Sequence, residues 1–362
     1  MTSTRVRAEI RALRAYRVPA SDDLIKLDAM ENPYQWPEDM QDAWLDQLRS
    51  IPLNRYPDPT ASGLKNCLRD SLGIPDEMEI LLGNGSDELI QIIQLCMLGR
   101  DGVVVAPTPS FVMYEMIARF VGARFVGVPL AADYAVDEDA MRRAIHEYDP
   151  AVVFLAYPNN PTGNLFDRCA MDRIIRNTRG LVVVDEAYHA FARSSCMDQI
   201  VDHNNLVVMR TLSKLGLAGL RLGYLVGPAA WLDEFEKVRM PYNINVLTQR
   251  TAEFALRRPD MFEHQASTIV SERQRLYTSL ECAQGVTPYP SQANFILFRC
   301  DRNKASDLFD RLVQRGILVK NFGQADAGLD RCLRVTVGTE KENHAFIAAL
   351  ESSLADSQSG NR

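Results

Sequence analysis

Lys214 closes the run Thr211-Leu-Ser-Lys214, after an apolar segment and before a glycine-rich stretch, 215–223. A lysine among apolar and small residues has its charged form disfavoured, and the neutral amine attacks aldehydes. The same lysine is also readable as an ordinary surface residue. Asp185 directly follows the apolar run 181–184. An ionised carboxylate there is costly unless a cation or hydrogen-bond donors meet it. A protonated heteroaromatic nitrogen would serve; so would the next helix, if Asp185 merely caps it. Tyr188 lies three residues on, near enough to aim its hydroxyl at the same ligand.

Gly83-Asn-Gly-Ser-Asp-Glu88 joins a strand candidate to a helix candidate. Small residues let backbone approach an anion, and the free N–H groups of a first helical turn hold phosphate. The plain alternative is a helix cap by Ser86 or Asp87. Arg221, with the hydroxyls of Thr211 and Ser213, offers a second anion cradle, because guanidinium binds phosphate through paired hydrogen bonds. Asn160 stands in the turn Pro158-Asn-Asn-Pro-Thr-Gly163, which also reads as a rigid connection. Phe111 suits either core packing or a platform for a ring.

These residues need a scaffold that gathers them. Between positions 80 and 227, short β-branched runs (79–82, 103–106, 152–156, 181–184, 206–209, 222–226) alternate with amphipathic segments (88–98, 114–121, 138–147, 167–178). That order predicts an α/β fold with a mostly parallel sheet flanked by helices. The polar clusters follow the strands, so they should meet at the carboxyl rim, where such sheets bind ligands. Beyond position 241 come helices at 247–256 and 261–280, a strand at 293–298, a helix at 304–315, strands at 317–320 and 332–337, and a helix at 341–354. This predicts a smaller α+β domain with a frayed tail, 355–362.

Composition narrows the class. The chain has 362 residues, of which 46% are hydrophobic and 24% charged, as in globular proteins. The formal charge of −7 gives no broad basic field for nucleic acid. Seven cysteines without a C-x-x-C pair argue for reduced thiols in the cytoplasm and against a zinc site. No apolar stretch approaches a membrane span. Arg5, Arg7, Arg11, Arg14 and Arg17 read as part of a solvated helix, favoured by Glu9, or as a transit peptide.

An imine-forming lysine, an acid for a ring nitrogen, Asn and Tyr for a ring oxygen, and an anion cradle together describe the handles of pyridoxal 5′-phosphate. At this point the chain resembles the fold-type I aminotransferases, specifically the histidinol-phosphate aminotransferase family. The resemblance runs from Lys26-Leu-Asp-Ala-Met-Glu-Asn-Pro33 through Asn54-Arg-Tyr-Pro-Asp58 and the clusters above to Leu333-Arg-Val-Thr-Val-Gly338.

The resemblance implies a seven-stranded sheet in a large cofactor domain, 41–252, with a small domain, 253–362, joined by an N-terminal segment, 1–40. Lys214 would bond the cofactor aldehyde and shuttle the substrate proton. Asp185 would pair with the ring nitrogen, and Asn160 and Tyr188 with the ring oxygen. Ser86, Asp87, Thr211, Ser213 and Arg221 would cup the phosphate, with Phe111 stacked on the ring. Tyr56 would reach the cofactor of the partner subunit, which implies a homodimer. Arg334 would grip the carboxylate of glutamate and 2-oxoglutarate, with Lys320 and Asn32 also facing substrate and Asn294 nearby. Lys320 replaces an arginine common in the family, a point charge in place of a fork.

The implied reaction is ping-pong transfer between L-glutamate and imidazole-acetol phosphate, giving L-histidinol phosphate. An aromatic amino-acid aminotransferase and a phospho-amino-acid decarboxylase are the alternatives on this fold. A non-catalytic ligand sensor is disfavoured by Lys214 and Asp185 occurring together.

Overall fold

The computed structural model describes residues 5–13, 15, 23–99, 101–301, 305–323 and 328–359. Its strands are β1 (Ile25–Leu27), β2 (Glu79–Gly83), β3 (Val103–Thr108), β4 (Arg124–Pro129), β5 (Val152–Ala156), β6 (Leu181–Asp185), β7 (Leu206–Thr211), β8 (Gly223–Gly227), β9 (Val286–Pro288), β10 (Phe295–Cys300), β11 (Ile317–Asn321) and β12 (Cys332–Thr336). Seven of them form one sheet in the order β2-β8-β7-β6-β5-β3-β4. Neighbours from β7 to β4 are parallel, and β8 runs antiparallel between β2 and β7. The expected mostly parallel, seven-stranded α/β sheet is therefore present.

Its strands are apolar without alternation because both faces are covered. Val182 and Val184 join Val153 and Leu155 in one core, while Leu181 and Val183 join Val152 and Phe154 in the opposite one. Each fully buried valine of this kind contributes about 1.5–3 kcal/mol. Register then fixes the rim. Gly83 and Thr211 both stand opposite Gly223, and Asp185 lies between Ala156 and Met209. Since β8 is antiparallel, its first residue shares the rim with the last residues of β2 and β7.

A second sheet has the order β1-β11-β12-β10-β9. β1 pairs parallel with β11, so residues 25–27 lie beside 317–319. Leu27, Phe295, Phe298, Val335 and Phe346 fill its core. Helix Pro259–Cys282 serves both cores: Phe262 belongs to the large sheet's core, Ala266, Ile269 and Leu276 to the smaller sheet's.

Several elements depart from the sequence reading. Strands β1, β4 and β9 were not anticipated; they lie at sheet edges, β1 and β9 being three residues long and β4 mostly part-exposed, so none shows a continuous buried apolar run. Helices Glu38–Leu48 and Ser62–Leu72 were also missed. The last helix is Glu340–Ser359, so 355–359 is helical rather than frayed. At the other end Ala8–Arg11 is the helix among the described residues, with Arg5, Arg7 and Arg11 exposed. Arg14, Arg17, Lys304 and residues 360–362 lie outside the described residues.

Candidate active site

A cavity of about 260 Å³ opens at the strand rim, against the second sheet. Ser86, Asp87, Phe111, Asn160, Asp185, Tyr188, Thr211, Ser213, Lys214, Arg221, Lys320 and Arg334 all line it, as do Asp28, Ala29 and Met30. Of the residues singled out from the sequence, Tyr56, Asn32 and Asn294 do not.

Lys214 lies in an irregular turn, Ser213–Leu217, where Gly216 takes φ 118°, a conformation that favours glycine. It is partly buried, not a surface lysine, and its Nζ donates to the Ala29 carbonyl at 3.0 Å. Burial, helped by the like charge of Arg334, lowers its pKa to about 8. A usable fraction of neutral amine therefore exists near neutral pH.

Asp185 ends β6 and is buried. Its Oδ2 accepts from the Tyr114 hydroxyl at 2.7 Å and its Oδ1 from the Ala187 N–H at 3.1 Å. Burial still pushes it up to about 6, with those hydrogen bonds pulling the other way. A carboxylate so placed favours a cation opposite it. Below the rim, the adjacent Glu186 is fully buried and paired with Arg210 at 2.8 Å, and it also accepts from Ser195 Oγ. This network braces the segment that carries Asp185.

Helix Gly85–Met97 begins earlier than expected and contains both Ser86 and Asp87 in its first turn. Asn84 is the N-cap and makes no side-chain cap, so neither Ser86 nor Asp87 is a simple capping residue. A Cβ on Gly85 would lie 2.5 Å from the Arg221 guanidinium, and one on Gly223 would lie 2.8 Å from Ser86 N. The glycines thus permit a close approach of the guanidinium and the helix terminus. Arg221 takes φ 50°, donates to Ser213 Oγ at 3.2 Å and lies 3.6 Å from Asp87. Ser213 Oγ is in turn 2.9 Å from Thr211 Oγ1. Ser86 Oγ is buried with no hydrogen-bond partner among the described residues. An unpartnered hydroxyl, free helical N–H groups and a guanidinium suit a phosphate, so these residues fit the phosphate end of pyridoxal 5′-phosphate.

The turn after β5 has cis peptides at Tyr157–Pro158 and Asn160–Pro161. Asn159 braces it by donating to Pro109 O at 3.0 Å and accepting from Ser110 Oγ, leaving Asn160 to face the cavity. Asn160 Nδ2 donates to the Tyr188 hydroxyl at 3.1 Å, and its Oδ1 accepts from Arg334. Arg334 also donates to Asp28 O at 3.0 Å and lies over the Phe295 ring. Lys320 stands opposite Arg334 in the β11–β12 register. Burial, then the charge of Arg334, lowers the Lys320 pKa. Two cations crowded on one wall call for anionic groups on the ligand.

Asn32 does not line the cavity. Its amide donates to Leu215 O and Gln265 Oε1, and its Oδ1 accepts from Tyr34 N, so it anchors the chain around Lys214. Asn294 donates to Met30 O. Tyr56 is 81% exposed and stacks on Tyr242 at 4.5 Å between centroids. The sequence reading missed Tyr114 and the backbone of 28–30. Tyr114 falls only three positions after Phe111, which could have drawn attention to it; carbonyl ligands leave no side-chain signature.

Residues 22–350 match the aminotransferase class I and II family, and the chain belongs to it. Histidinol-phosphate aminotransferase 2 of Nitrosococcus oceani is 53% identical over 346 residues, covering 96% of each chain. Histidinol-phosphate aminotransferase 1 of Ralstonia nicotianae is 49% identical over 97% of this chain and 95% of its own. Among solved structures, histidinol-phosphate aminotransferase from Sinorhizobium meliloti in complex with pyridoxal-5'-phosphate has a TM-score of 0.87 and 25% identity, covering 98% of both chains.

Proposed function

We propose that this protein is a pyridoxal 5′-phosphate-dependent aminotransferase that moves the amino group of L-glutamate to imidazole-acetol phosphate, yielding 2-oxoglutarate and L-histidinol phosphate. The observation that carries the reading is the convergence of Lys214, buried Asp185 and the Ser86–Arg221 cup on one cavity. When bound, the cofactor supplies an electron sink for the pair left at the substrate Cα.

The chain does the rest. Lys214 Nζ, neutral in part near pH 8, would be the amine that holds the cofactor's aldehyde carbon, with water as the leaving group, and, once displaced by substrate, the base that moves the proton at the substrate Cα. Asp185, its carboxylate fixed by Tyr114 and Ala187, would keep the ring nitrogen protonated. Asn160 and Tyr188 would hold the ring oxygen, Phe111 would lie against the ring, and Ser86, Asp87, Thr211, Ser213 and Arg221 would hold the phosphate, all of them lining the same cavity. Arg334 takes the substrate carboxylate in paired hydrogen bonds, and Lys320 adds the charge that a substrate phosphate needs.

The chain divides in this reading into a large domain, 41–252, a small domain, 253–362, and a segment, 1–40, that joins the small one; the pairing of β1 with β11 supports the last point. The protein works as a homodimer in the cytoplasm. Tyr56, Leu53 and Met240 are largely exposed apolar residues, a surface suited to a second copy, and Tyr56 would reach the cofactor phosphate of that copy. All seven cysteines are free thiols. No helix among the described residues is long and apolar enough to cross a membrane.

A substrate panel tests the reading. Histidinol phosphate, phenylalanine and threonine phosphate are each assayed for 2-oxoglutarate consumption and carbon dioxide release. The proposal requires histidinol phosphate to give the highest kcat/KM without carbon dioxide; preference for phenylalanine, or release of carbon dioxide from threonine phosphate, overturns it.

A further inference from the structure

A second cavity, of about 560 Å³, lies behind the catalytic one, and no residue lines both. Its near wall forms where the chain turns away from catalytic positions: His189 and Phe191 follow Tyr188, and Leu215 follows Lys214. Helix Pro259–Cys282 supplies the far wall, with Phe262 and Arg273.

Two guanidinium groups, Arg193 and Arg273, line this otherwise largely apolar space. Arg273 donates to Ala293 O at 2.9 Å and more weakly to Phe191 O. Neither arginine forms an ion pair with an acid among the described residues. Burial lowers Arg273 to about 10, and the like charge of Arg193 adds to the shift. Glu263, the carboxylate of the lining, is exposed to solvent, and His189 is held neutral by burial. Positive charge here is therefore uncompensated and partly desolvated, a condition that an anion relieves.

We propose that this cavity is a second ligand site, which takes a small organic carboxylate with its anion on Arg193 and Arg273 and its apolar body against Phe191, Phe262 and Leu215. Guanidinium favours carboxylate through paired, charge-assisted hydrogen bonds, and the apolar walls account for the body.

Phenylacetate is the probe, titrated calorimetrically into enzyme carrying its cofactor. The wild type should show a saturable site that does not depend on Arg334. Arg193→Glu, at an exposed position, should weaken binding by about tenfold or more while kcat/KM for histidinol phosphate stays unchanged, and Arg193→Lys should recover part of the affinity. Arg334→Gln, which disables the catalytic cavity, should leave phenylacetate binding intact. Absence of saturable binding in the wild type, equal affinity in Arg193→Glu, or loss of binding in Arg334→Gln would overturn the proposal. Transamination by the wild type is read separately, so failure here leaves the assigned reaction untouched.

Discussion

The phenol of Tyr114 donates to Asp185 Oδ2 at 2.7 Å, with its ring stacked on Phe154 of β5 at 4.5 Å and 7°. Burial and the charge of Asp185 raise the pKa of this phenol far above the working range, so Tyr114 stays a donor and favours the ionised carboxylate. Tyr114→Phe removes that support. The Asp185 pKa rises, and the acid limb of kcat/KM moves to higher pH, with a loss of about tenfold at the optimum. Urea melts should show about 1–3 kcal/mol of destabilisation from the lost buried partner. An unshifted acid limb would remove Tyr114 from the mechanism.

Asp185 also makes the benefit of cofactor binding depend on pH. In the protein alone its pKa is raised to about 6. The stability that the protonated acid gives is full below the ordinary carboxyl range and is lost as pH rises through about 6. A cationic ring nitrogen opposite the carboxylate cancels this loss. The gain in Tm on adding pyridoxal 5′-phosphate should therefore grow between about pH 5 and pH 7, and grow less in Asp185→Asn. Differential scanning calorimetry of both proteins checks the difference.

Lys214→Ala should lower kcat by about 10⁴-fold or more, since both the nucleophile and the base are lost. Contacts at Ser86, Ser213 and Arg221 should still retain part of the cofactor. Borohydride reduction followed by peptide mass mapping should label Lys214 in the wild type and nothing in the variant.

Arg334 and Lys320 separate two substrate demands. Arg334→Gln should reduce kcat/KM for glutamate by about 10²-fold or more, because a buried charge-assisted pair is lost. Lys320→Ala should raise KM for histidinol phosphate by about tenfold with a smaller effect on glutamate, and Lys320→Arg should lower it. Steady-state kinetics with each substrate varied in turn decides whether the two residues act separately.

Tyr56 tests whether the site is shared between two copies of the chain. Tyr56→Ala, at an exposed position, should change fold stability by less than about 0.5 kcal/mol. The variant should nonetheless lose cofactor about tenfold more readily on dialysis, with sedimentation reporting the dimer. Unchanged retention would place Tyr56 away from the partner's cofactor.

Much of this site was legible because its chemistry sits at strand ends. Val182-Val183-Val184 marks a covered strand, so the following Asp185 had to be buried at a rim, and Lys214 and Asn160 follow strands in the same way. Asn32 lies outside the cavity lining, and local sequence does not show that its carboxamide is engaged by Leu215 and Gln265. Tyr114 was missed because an amphipathic helix shows its buried face but not which buried hydroxyl meets a carboxylate 71 residues away. The edge strands β1 and β4 escaped because half-exposed segments lack the apolar runs of central strands.

The parallel pairing of residues 25–27 with 317–319 has a consequence for synthesis. A strand made early on the ribosome waits, without its mate, until almost three hundred further residues have been added. Its neighbours, the carbonyls of Asp28 and Ala29, then dock on Arg334 and Lys214. Such distant pairing is slow to form, so the nascent polypeptide acquires its reactive amine long before the contact that orients it.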